Sequence, residues 1–298
     1  MSSFKRKESV TAGSRRLVCA ELESAIQALS RETKRDNAAQ AVQALDRGRA
    51  ALELAGNALP RDILRRDRKR FNAIGKTLRQ ARLCQRLSTR LDKLVRKAGL
   101  DTADPALKKL RKQLAEHTPS KVALRTRGQR FDPMVYRLVA ELAELRGHVG
   151  LWPEAETDPP EPPPPGLSAC YRAARNAARK AEQDPGQLAA AHPPVALLCD
   201  ALTLVGKCCP AMIKPQRVIL SAAAKPLHDH VTNAQLIEAA GQDKSLTDLT
   251  AMLQEAAAPD YADAEASLAK ARQFALAETP QAFLNRIGAY WSAWRASA

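Results

Sequence analysis

Residues 151–166 of this chain read LWPEAETDPPEPPPPG, and no other stretch constrains the fold as much. Proline fixes φ, has no N–H to donate, and drives the preceding residue towards extended backbone. A run this dense in proline is expected to be an extended, semi-rigid spacer rather than a helix. It divides the sequence into a block over 1–150 and a block over 167–298, with 151–166 as an acidic linker.

On both sides the pattern is helical. Apolar residues make up 45% of the chain but aromatics only 4%, and strand-type runs are nearly absent. That composition favours helices over sheets. The first block is expected to form helices near 8–30, 36–58, 61–98, 103–116 and 132–148. Pro60, Gly99 with Asp101, and Asp132-Pro133 act as punctuation. HTPSKVALRTRGQR, 117–130, reads as a basic loop or short helix. The second block is expected to form helices near 167–183, 185–209, 215–240, 244–256, 260–276 and 278–296, with Asp260, Asp263 and Thr279-Pro280 as starts. The fold class is all-α, two helical bundles of the four-helix type joined by the proline-rich linker.

Charge separates the blocks further. Residues 1–150 hold 34 Lys/Arg against 16 Asp/Glu, while residues 151–298 hold 13 against 16. An excess placed on one half points to a polyanionic partner: nucleic acid, a phosphate polymer or an acidic membrane surface. A generally basic, solvated surface is the plainer alternative.

The charge is densest in KTLRQARLCQRLSTRLDKLVRK, 76–97, with eight Lys/Arg and Asp92 as its one acid. At about 100° per residue, Arg79, Arg86, Arg90, Lys93 and Lys97 share one sector of a helix, flanked by Lys76 and Arg82. Cys84, Leu87, Leu91, Leu94 and Val95 share another, so the segment is amphipathic with a cationic ridge. Like charges in line repel one another, and a bound polyanion would relieve that repulsion. More cations stand nearby in sequence: Lys5, Arg6, Lys7, Arg15, Arg16, Arg47, Arg49, the RDILRRDRKR stretch with Arg65, and Lys121, Arg125, Arg127 and Arg130. Arginine suits bidentate phosphate contacts and lysine acts as a mobile point charge.

These stretches resemble the CHAD family, the conserved histidine α-helical domain. FKRKESVTAGSRRLVCAELESAIQAL is similar to the family's basic lead-in and first helix, with Arg15 and Arg16 as its paired arginines. LRRDRKRFNAIGKTLRQARLCQRLSTRLDKL is similar to the helix that carries an Arg-Asp pair, with Arg82 on the arginine and Leu83 in place of the aspartate. GLSACYRAARNAARKA, with Tyr171, Arg172, Arg175 and Arg179, resembles the opening of a second repeat, and AETPQAFLNRIGAYWSAW resembles the family's ending. The resemblance implies two pseudo-symmetric four-helix bundles whose basic residues line a groove or pore for inorganic polyphosphate. The chain departs from the pattern at named places. The first half has no histidine before His117, and AQAVQALDRGR keeps only Arg47 and Arg49 of a cation-dense helix. LAAAHPPVALLCDAL has lost most of the expected cations, and LHDHVTNAQL has Val231 and Thr232 where the family has His and Asp.

Catalytic signatures are not found: no GxxxxGK[ST] phosphate loop, no GxSxG and no HExxH. His228 and His230 diverge on a helix and have no evident third metal ligand. Trp291 and Trp294 read as packing residues, and no aromatic platform interleaves with the ridge. Cys19, Cys84, Cys170, Cys199, Cys208 and Cys209 are scattered among apolar residues without a CxxC, as in a reducing compartment. The N-terminal MSSFKRKESVTAGSRR does not read as a signal peptide, and the apolar tract from Val195 to Ile213 is interrupted by Asp200, Lys207 and Pro210.

The sequence therefore points to a non-enzymatic, cytoplasmic polyanion-binding module without cofactor or metal, with inorganic polyphosphate as the first partner and polyphosphate granules as a setting. Two further readings stay open: a sequence-nonspecific nucleic-acid binder, and a scaffold that has lost its ligand. The expected polyanion-binding residues are Lys5, Arg6, Arg15, Arg16, Arg47, Arg49, Arg65, Lys76, Arg79, Arg82, Arg86, Arg90, Lys93, Arg172, Arg175 and Arg179.

Overall fold

A computed structural model describes residues 3–30, 37–116, 133–153 and 162–297. The basic stretch 117–130, with Lys121, Arg125, Arg127 and Arg130, lies outside the described residues, as does 154–161 of the proline-rich segment. Among the described residues the regular structure is helical. The α-helices are α1 (Val10–Ser30), α2 (Asn37–Ala55), α3 (Arg61–Ala81), α4 (Leu83–Ala98), α5 (Pro105–Glu116) and α6 (Pro133–Gly150) before the proline-rich segment. After it come α7 (Gly166–Gln183), α8 (His192–Val205), α9 (Pro210–Gly241), α10 (Thr247–Phe274) and α11 (Pro280–Ala296).

The one long helix expected over 61–98 is two helices, divided at Arg82 (φ −99°, ψ −6°). The reason is the phase of the apolar residues. On a continuous helix the Phe71-Ile74-Leu78 stripe and the Leu87-Leu91-Leu94 stripe would lie about half a turn apart. They also enter different cores, so the chain must turn between them. Downstream, α4 ends as its sequence predicts. Gly99 adopts left-handed φ of 63°, and the Leu100 N–H reaches back to the Val95 carbonyl at 3.0 Å.

Three other expectations needed correction. Asp260 and Asp263 do not start a helix, because α10 runs through Pro259; likewise α9 begins at Pro210 and continues through Pro215 and Pro226. Pro215 and Pro259 are exposed, so the carbonyl each leaves without its helical partner can reach water, and the helix continues instead of stopping. The helix expected over 185–209 starts only at His192, preceded by two short 3₁₀ turns, with Pro193 and Pro194 in its first turn. Thr279-Pro280 caps α11 as expected, with the Ala282 N–H donating to Thr279 Oγ1 at 3.2 Å.

Both cores draw on both sides of the proline-rich segment. The first gathers α1, α2, α3 and α6 with α7, α8, α11, the start of α9 and the end of α10; Leu22, Leu52, Tyr171, Phe283 and Trp291 are fully buried there. The second packs α4 and α5 against the end of α9 and the start of α10, through Leu91, Leu94 and Leu107 facing Leu236, Leu249 and Leu253. The paired helices α9 and α10 thus run from one core into the other. Where the chain enters α7, Gly166 passes so close to the Glu53 carbonyl of α2 that no Cβ would fit.

Candidate polyanion-binding cleft

The two cores meet where α3 gives way to α4, and the ridge faces inward at that junction. Arg79 of α3 is paired with Asp46 of α2 at 2.7 Å. Arg86 of α4 donates to the side-chain carbonyl of Gln235 on α9 at 2.5 Å. Arg90, 7% exposed, donates to Asn233 at 2.5 Å and to Asp260 at 2.6 Å, and also pairs with Asp229 at 3.1 Å. Lys97 reaches the other oxygen of Asp260 at 2.8 Å. The ridge read from sequence as unopposed therefore meets carboxylates of α9 and α10 along its far half. Burial would raise the Asp260 carboxyl, but hydrogen bonds from Lys97 and Asn233 with the Arg90 charge hold it below its ordinary value.

The near half is different in kind. Arg86 has a neutral partner, and its Nε is buried without a hydrogen bond among the described residues. Burial first, then the charges of Arg82 and Arg79, lower the pKa of this guanidinium from its ordinary value. A buried cation beside like charges is unfavourable unless something anionic compensates it. Two histidines complete the cluster. His192 at the start of α8 and His228 of α9 have ring centroids 5.1 Å apart. Burial pushes His192 down to about 4, reinforced by His228, Arg86 and Arg79. Burial lowers His228 too, with Arg86 adding to it and Asp229 opposing.

Sequence reasoning missed this pair because it considered His228 with His230. His230 instead packs edge-on against Tyr261 at 5.2 Å. A signal existed in the sequence: His192 directly precedes a Pro-Pro helix start, which places it at an N-terminus, and His228 follows an α9 stripe that faces α8.

Next to the cluster, between α8, α9 and α10, lies a cleft of about 820 Å³ lined by Asp200, Arg217, Lys225, Asp229, Asp260 and Asp263. Its signs are mixed. Burial, then the nearby Asp46 carboxylate, raise Asp200 to about 6, with Arg47 opposing.

The other expected site residues are dispersed. Arg15 donates to the Trp152 carbonyl at 3.2 Å, and Arg16 is held by Glu8 at 2.6 Å and the Ser3 carbonyl at 2.8 Å. Lys5 is exposed, and Arg6 donates to the Ser297 carbonyl at 2.9 Å while lying over Trp294. Arg47 pairs with Glu21 at 2.7 Å, and Arg49 stands 4.0 Å from Glu53. These arginines bind the protein's own carboxylates and carbonyls and so contribute first to the fold. Arg65, Lys76 and Lys93 are exposed, and Arg82 is half-buried at the α3–α4 turn. Arg172 is exposed on α7. Arg175 and Arg179 line a separate groove of about 920 Å³ against α10, with Lys270, Arg272 and the exposed Phe274. No group of three or more metal-ligating side chains occurs among the described residues, and none of their helices is long and apolar enough to cross a membrane.

No family model and no curated protein matches this chain. Among solved structures it is similar to PptA from Streptomyces chartreusis, with a TM-score of 0.62 at 19% identity, covering 89% of this chain and 98% of that one. At that identity the likeness is one of fold, and it extends over both halves.

Proposed function

We propose that this protein is a non-enzymatic binding module for inorganic polyphosphate, engaged at the near half of the ridge by Arg79, Arg82 and Arg86. The observation that carries the reading is Arg86: a guanidinium with a buried, unbonded Nε, a neutral partner and two arginines beside it. Such a group gains more from an incoming phosphate than from any residue around it. Exposed Lys76 and Lys93 extend the cationic track on either side as mobile charges. Recognition would be multidentate, with lysines and arginines replacing counterions along a uniform anionic chain. Affinity then grows with polymer length and falls steeply with salt.

The resemblance of the sequence to CHAD proteins supports this choice over other polyanions. The six cysteines are free thiols, in keeping with a cytoplasmic setting. The test is competition. Long polyphosphate is bound to the full chain at near-physiological salt and challenged with DNA, RNA and heparin at matched charge. The reading expects polyphosphate to outcompete each of them; equal or better displacement by nucleic acid would replace it with a nucleic-acid reading. No polyanion binding at all would leave a scaffold.

A further inference from the structure

Resting on that reading, we propose that Arg86, His192 and His228 form one phosphoryl-binding pocket whose occupation takes up protons, so that polyanion capture tightens as pH falls. The geometry gathers what such a pocket needs. Two imidazoles from different helices stand 5.1 Å apart, and the half-buried Arg86 guanidinium of a third helix is near enough to lower the pKa of each. The groups around them are nearly all cationic. Arg79 comes from α3, Arg82 from the α3–α4 turn, and Arg86 and Arg90 from α4. The carboxylates within reach are already engaged: Asp46 of α2 by Arg79, Asp229 of α9 and Asp260 of α10 by Arg90.

In the free protein this surrounding holds both rings neutral near pH 7, since burial and neighbouring cations both disfavour the imidazolium. A phosphoryl group against Arg86 reverses the balance. Its negative charge offsets the arginines and favours a proton on each ring beside it, and each protonated ring becomes a further donor to phosphate oxygens. Charge and protons are then linked: whatever the anion adds to imidazolium stability, protons add to anion affinity. The pair also supplies selectivity, because the uptake is largest for the ligand group that carries the most negative charge. A terminal phosphoryl group of a polyphosphate, with two ionisable oxygens, should exceed an internal one with a single negative charge.

The experiment is calorimetric titration of the full chain with short polyphosphate of uniform length. It is run at pH about 6 and about 8, in buffers of different ionisation enthalpy. The expected result is net uptake of about one proton or more per chain near pH 6, and affinity about tenfold higher there than near pH 8. Imidazole proton signals give a readout without any substitution: two rings should move to higher pKa on addition of the polymer. His192→Gln with His228→Gln should lose both the proton uptake and the gain in affinity between pH about 8 and about 6. Binding with no proton uptake, or a double variant with the same pH dependence as the native chain, would overturn this inference and leave polyphosphate binding intact. Absence of binding at either pH would overturn the underlying reading as well.

Discussion

Arg90 of α4 and Asp260 of α10 meet at 2.6 Å, although 170 residues separate them in the chain. The pair ties the end of the cationic ridge to the second half of the molecule and removes both charges from any ligand. Because Arg90 is buried and also binds Asn233 and Asp229, its loss takes that donor from Asp229 and the Asn233 carbonyl and leaves Asp260 to Lys97 and Asn233 alone. Arg90→Leu is therefore expected to destabilise the fold by about 3 kcal/mol, measured by chemical denaturation. Asp260→Asn has a second consequence. It releases Lys97 and weakens the hold on Arg90, so polyphosphate affinity should rise severalfold in a direct titration.

A buried tie in the first core gives an independent check on the fold. The Trp152 indole N–H donates to Asp67 Oδ2 at 2.8 Å, and Asp67, fully buried, accepts from Arg66 Nε at Oδ1 at 3.0 Å. Trp152→Phe keeps most of the ring but leaves one carboxylate oxygen without its donor. The expected cost is about 1–3 kcal/mol, seen as a lower denaturation midpoint with unchanged slope.

The close approach of Gly166 to the Glu53 carbonyl makes a steric prediction. Gly166→Ala places a Cβ into backbone that cannot yield, so α7 must shift off α2. The cost is expected to be about 3 kcal/mol or more. Gly147→Ala, where a Cβ meets nothing within 4 Å, should be neutral or slightly stabilising by helix propensity. Thermal melts of the two variants side by side decide it.

Stability against pH should show two opposing contributions. His192 has its pKa lowered in the fold to about 4, so the unfolded chain takes the proton first and stability falls as pH drops from about 6.5 to 4. Asp200 has its pKa raised to about 6, so the fold takes the proton first and stability rises as pH drops from about 6 to the ordinary carboxylate value. The native protein is expected to show a shallow profile through this window. Asp200→Asn should be more stable than the native chain near pH 7, by on the order of 1 kcal/mol, and should lose stability more steeply on acidification. His192→Gln should instead gain stability as pH falls from 6 to 4. Denaturation series across this range would reveal both slopes.

The outline of this fold was legible in the sequence because helix boundaries are local. Gly99 stops α4, Thr279-Pro280 starts α11, and the apolar stripes mark most of the rest. The turn at Arg82 was legible in principle, since the stripe shifts by half a turn between Leu78 and Leu87. What could not be read was the identity of opposing groups. Asn233, Asp229 and Asp260 are placed against Arg90 by the packing of α9 and α10 on α4, from more than a hundred positions further along the chain. A helical wheel shows where cations point but not what they meet. For the same reason His192 and His228 became a pair only through the packing of α8 on α9.

The central claim is that the near half of the ridge, and not the cation-rich surface at large, captures the polymer. The most direct test is polyphosphate affinity of three folded proteins at equal salt: the native chain, Arg79→Ser with Arg86→Ser, and Arg172→Ser with Arg175→Ser. Each double variant removes two positive charges. The account predicts a loss of tenfold or more for the ridge variant and about twofold or less for the α7 variant. Equal losses in the two variants, or a ridge variant that binds as the native chain does, would contradict it.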